Sequence, residues 1–197
     1  MLRQSGNAAP QISNLKFQIS NSPLPAPQTM SAETPISVTE FHRELATELF
    51  NHVLSLLERT DRTCAEDDRM IHAAHASRFH WEFGGGPLNM ALGEWQCARV
   101  HTAMRHPEAA LHHAWRYLEH AESYGLGAFH LAYAHAAIAG AFALKDPAQC
   151  LRHLEQAREL APHLTDEEEI KLLERELEIA AAALPKEEAP SIPAPSA

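Results

Sequence analysis

Apolar residues recur at helical spacing through most of the chain. The clearest run is Phe41, Leu45, Leu49, Val53, Leu56 and Leu57, which marks one face of an amphipathic helix. Seven such segments can be read, at about Thr39–Arg59, Glu66–Phe83, Leu88–Met104, Pro107–Tyr124, Ala128–Leu144, Pro147–Leu160 and a last one opened by Thr165 and running to Ala183. Ser37 with Glu40, Thr63 with Glu66, and Thr165 with Glu168 each fit a capping box, in which a hydroxyl and a carboxylate satisfy the first free N–H groups of a helix. The stops are equally plain. Gly84-Gly85-Gly86-Pro87 ends the second segment, Gly125 and Gly127 punctuate after the fourth, and Pro162 ends the sixth. Arg105-His106-Pro107 and Lys145-Asp146-Pro147 read as tight turns, each with proline at the first helical position, where its missing N–H costs nothing. No segment alternates convincingly with period two, so no sheet is predicted.

Proline usage divides the chain. Five of the 13 prolines fall within residues 1–35 and four within residues 185–197. The predicted organisation is therefore a disordered N-terminal segment, 1–35, with Met30 a candidate natural start; a helical domain, 36–184; and a disordered Pro/Ala-rich tail, 185–197. The formal net charge of −10 and the four scattered lysines disfavour nucleic acid and anionic membranes as partners, since both need clustered basic residues. No apolar run is long enough to span a bilayer. Cys64, Cys97 and Cys150 form no C-x-x-C pair and are odd in number, so the expectation is a reduced, cytoplasmic protein without a disulfide framework.

The stretch Arg105–Ala121 (RHPEAALHHAWRYLEHA) aligns with Lys145–Ala161 (KDPAQCLRHLEQARELA) at a constant offset of 40, with Pro, Leu, His, Glu and Ala at matching places. A fixed offset joining turn, proline and helix is the mark of a helical-hairpin repeat. The second copy, with Cys150, Leu154, Ala157 and Pro162 in a small–large–small–proline pattern, resembles the tetratricopeptide family. The first copy departs from that pattern, with Ala114 where a large residue belongs and Tyr117 where a small one does. The segments HAAHASRFHW (72–81), GEWQCARV (93–100) and EAALHHA (108–114) are also similar to an uncharacterised bacterial family of such helical proteins. The resemblance implies an all-α, right-handed solenoid of tetratricopeptide-like hairpins. In that family the first helix of each hairpin lines a concave groove. Trp95, Arg99 and Thr102 on the third helix and His135 and Phe142 on the fifth fall at the groove-facing places. Trp95 as core filler, and Arg99 paired with Glu94 or Asp146, is the competing reading.

Fourteen histidines against 16 Lys plus Arg is an unusual ratio. Asp68, His72 and His75 stand at i, i+4 and i+7, so they share a helix face and form a possible metal set. The set is incomplete, however, and no H-E-x-x-H or cysteine pair accompanies it. Histidines packed and hydrogen-bonded at helix contacts are the simpler expectation, and the same holds for His112, His113 and His120. The glycine triplet lacks the Lys-Ser/Thr of a phosphate loop and reads as a connector. The sequence thus predicts a non-catalytic interaction module for an unidentified protein or peptide, with no cofactor. A metal-binding protein using Asp68, His72 and His75 is the alternative.

Overall fold

The computed structural model describes residues 36–184, so the expectations for residues 1–35 and 185–197 lie outside the described residues. Seven α-helices follow one another: α1 (Val38–Leu57), α2 (Cys64–Gly84), α3 (Pro87–Ala103), α4 (Pro107–Ser123), α5 (Ala128–Phe142), α6 (Pro147–Leu160) and α7 (Glu167–Ala182). One 3₁₀ turn, Ala161–His163, joins α6 to the last connection, and the described residues contain no strand.

Local chemistry sets most of these boundaries. The Ser37 hydroxyl accepts from the Glu40 N–H at 3.1 Å. Thr63 and Glu66 form the full reciprocal box, at 3.3 Å and 2.8 Å. Pro87, Pro107 and Pro147 each open a helix. The third cap differs from expectation. Asp166, not Thr165, is the N-cap of α7, and its carboxylate accepts from the N–H groups of Glu168 and Glu169 at 2.8 Å and 3.2 Å. A carboxylate is the stronger acceptor and also complements the positive end of the helix dipole. The first residue of the glycine triplet sits at a packed junction. A Cβ on Gly84 would lie 2.5 Å from the backbone nitrogen of Arg43, so glycine is what lets α2 end against α1.

Each pair α1–α2, α3–α4 and α5–α6 packs extensively, and each odd-numbered helix also leans on the even-numbered helix before it. The odd-numbered helices touch one another in turn, α1 with α3 and α3 with α5. Helix α7 breaks the rule: it rests mainly on α5 and much less on α6. Helix α5 is thereby enclosed by α3, α4, α6 and α7, and ten of its 15 residues are buried. This explains its alanines, since a helix buried nearly all round needs small side chains rather than one apolar stripe. The small and large positions of the sequence repeat lie in the core, whereas the matched Leu151, Glu119 and Glu159 are exposed. Ala110, Ala114 and Tyr117 on α4 and Cys150, Leu154 and Ala157 on α6 are at most 1% exposed. Each copy has one large residue and one small one at the last two of these places, in opposite order, so a similar volume is filled.

Candidate functional site

Helix α7 carries Leu173, Glu176, Leu177 and Ala180 as its buried positions, at i, i+3, i+4 and i+7. The stripe is apolar except for one carboxylate. Glu176 Oε2 meets Arg99 Nη1 of α3 at 3.1 Å, with both side chains largely shielded from water. Arg99 therefore pairs with neither Glu94 nor Asp146. Trp95 is 2% exposed, its ring 5.5 Å from Tyr133 in a stacked arrangement and 6.4 Å from Phe50. Burial, and after it the Glu176 carboxylate, pushes the Tyr133 hydroxyl well above its ordinary pKa. Between α1, α3, α5 and α7 a narrow cleft of about 10 Å³ remains, lined by Leu54, Trp95, Arg99, Tyr133, Leu172 and Glu176 among others. That is room for about one water.

The other proposed groove residues have partners too. Thr102 donates its hydroxyl to the Ala98 carbonyl at 2.9 Å on its own helix. His135 and Phe142 both meet His153 of α6, His135 with Nδ1 atoms 3.1 Å apart and Phe142 by ring stacking at 5.7 Å. The structure thus gathers Trp95 and Arg99 at the cleft beneath α7, and His135 and Phe142 around His153. The sequence reading missed Glu176. Its signal was a charge set within an apolar helical stripe, which calls for a buried partner.

A second constellation lies where α2, α3 and α4 meet. His75, Cys97 and His113 each bring one donor atom to within 4.8 Å of the others. His113 Nδ1 is 2.7 Å from Glu94 Oε2, and Glu94 also accepts from Arg78 at 2.8 Å and Arg116 at 3.3 Å. Burial alone would raise the Glu94 carboxyl, but His113 and Arg78 hold it at about 2. His75 Nε2 is 3.1 Å from His101 Nε2. Burial, with His75 and His113 adding repulsion, pulls His101 down to about 4. Burial, then the nearby Glu94 carboxylate, pushes the Cys97 thiol up to about 12.

Of the three residues of the possible metal set, only His75 joins this group. Asp68 and His72 are exposed on α2, on the water side of its buried positions Met70, Ala73, Ala74 and Ser77. His112 is also exposed, with its ring against that of His113 at 5.0 Å, and His120 stacks on Tyr124 at 5.6 Å. Comparison with protein-family models, curated proteins and solved structures finds no match. Among the described residues no helix is long and apolar enough to cross a membrane.

Proposed function

We propose that this protein is a non-catalytic interaction module of stacked, tetratricopeptide-like helical hairpins, whose odd-numbered helices receive an acidic amphipathic helix. One observation carries the reading: α7 occupies that surface within the chain. It lies chiefly on α5, buries Leu173 and Leu177, and aims Glu176 at Arg99. Of the five residues chosen from sequence as partner-facing, Trp95 and Arg99 line the cleft beneath it, whereas His135 and Phe142 lie against His153. A partner of the same chemistry, with leucines three to four residues apart and a glutamate between them, fits the same apolar surface and the same guanidinium. The carry-over from the tetratricopeptide resemblance is the hairpin order, supported by the pairing of α1 with α2, α3 with α4 and α5 with α6.

Charge reversal tests this reading. Arg99→Glu is expected to weaken binding of acidic amphipathic-helix peptides at least tenfold and to favour peptides with lysine at the Glu176-equivalent place. Binding indifferent to the charge at residue 99 would remove the proposal.

A further inference from the structure

His75, Cys97 and His113 come from three different helices and take no part in the surface beneath α7. Their donor atoms lie within 4.8 Å of one another, and Cys97 Sγ is 4.0 Å from His75 Nδ1. Metal bonds of about 2.0–2.3 Å arranged tetrahedrally place donors about 3.3–3.8 Å apart.

The surroundings of the two imidazoles carry the argument further. A histidine that binds metal through one ring nitrogen characteristically has the other engaged by a carboxylate or another polar partner, which fixes its tautomer and its orientation. Both rings meet this condition. Glu94 Oε2 holds Nδ1 of His113 at 2.7 Å, leaving Nε2 as the donor. His101 Nε2 holds Nε2 of His75 at 3.1 Å, leaving Nδ1, the atom on the Cys97 side. Glu94 is itself fixed by Arg78 and Arg116, so it positions His113 and is not a spare ligand. A merely packed histidine needs no such pair of supports directed at one point.

The geometry points to a binding site for one borderline transition-metal ion, zinc by its donor set, held by His75, Cys97 and His113. Two imidazoles and a thiolate disfavour magnesium and calcium, which require oxygen ligands. On binding, the Cys97 S–H bond breaks, its proton passes to solvent, and the metal–sulfur bond forms with no change of oxidation state. Cys97 is fully buried, whereas His75 is exposed, so the fourth coordination position opens to water on the His75 side. The site stands apart from the proposed helix-binding surface, and each can fail without the other.

Cobalt(II) is the direct probe, because its visible bands report tetrahedral geometry and a near-ultraviolet charge-transfer band reports a thiolate ligand. The protein is the full chain, purified without a histidine tag and stripped with chelator, in a Cys64→Ser background that removes the exposed thiol. One equivalent of cobalt is expected to give both signals, and zinc to abolish them. Cys97→Ser should lose the charge-transfer band. His113→Gln should abolish binding over the titrated range, and Glu94→Gln should weaken it about 10- to 100-fold with the thiolate band retained. A joint Asp68→Ala, His72→Ala variant should titrate like its parent. Circular dichroism confirms that each variant is folded; the edge variant His75→Asn, which disturbs the core least, should also lose affinity if Cys97→Ser or His113→Gln unfolds. No thiolate band in the folded parent chain, or binding lost with Asp68 and His72 but kept without His113, would overturn the site.

Discussion

Glu176 and Arg99 show how much one buried pair can decide. Removing either partner leaves the other charged and largely shielded from water, at a cost of about 3 kcal/mol or more. Glu176→Gln should therefore lower the urea midpoint clearly, and an unchanged midpoint would mean that α7 is not held by this contact. The histidines make a second prediction. An unfolded imidazole titrates near 6.5, whereas burial holds His101, His130 and His153 at about 4 in the fold. Between these values the unfolded chain binds more protons than the folded one, so stability rises with pH across that window. It is fully present above about pH 6.5 and is lost as pH falls toward 4. Urea midpoints should drop between pH 7 and pH 5, a range in which Glu94, held at about 2, stays ionised. At this scale the sequence was only partly legible. It singled out Trp95, Arg99 and His75, but the partners Glu176, Cys97 and His113 lie on other helices and meet them only in space. Asp68 and His72 had the right spacing on one helix, and the packing of α2 left them facing water.

Helices, by contrast, were legible almost throughout, because caps, prolines and glycines act locally. The ends of α2, α3, α4 and α6 follow from Thr63, Gly84, Pro87, Pro107 and Pro147. Asp166 was missed as the cap of α7 because Thr165 and Glu168 imitate a capping box one residue earlier. Two substitutions check the packing between elements. Ala157 on α6 has no exposed surface, so Ala157→Leu should overpack its contacts and cost about 1–3 kcal/mol. Gly84→Ala forces a methyl group to 2.5 Å from the Arg43 nitrogen and should push α1 and α2 apart at a similar cost. Differential scanning calorimetry on both variants measures this directly. Unchanged melting would put Ala157 at a solvent-facing place, or show that the α1–α2 junction has room to spare. The alternation of Ala114 and Tyr117 with Leu154 and Ala157 shows why one repeat matched the tetratricopeptide pattern better than the other: the core constrains summed volume, not the position of the large residue.

At the scale of the whole molecule, the decisive feature is where α7 rests. Local signals predicted the helix but not its neighbour, since a stripe of leucines fits α5 or α6 alike. By lying on α5 it covers the surface that the proposed function assigns to a partner. A partner helix must then compete with it, and the apparent affinity falls by the fraction of molecules in which the surface is open. The most direct measurement uses a fluorescent peptide of residues 164–184, titrated with the full chain and followed by anisotropy. In wild-type protein α7 competes and binding is weak. Glu176→Lys in the chain sets a lysine against Arg99, loosens α7, and should tighten binding of the wild-type peptide at least tenfold. Adding Arg99→Glu to that chain should abolish the gain. A Glu176→Lys protein that stays cooperatively folded yet binds the peptide no better than wild type, or a gain that survives Arg99→Glu, would contradict the proposal that this surface is a receptor for acidic amphipathic helices.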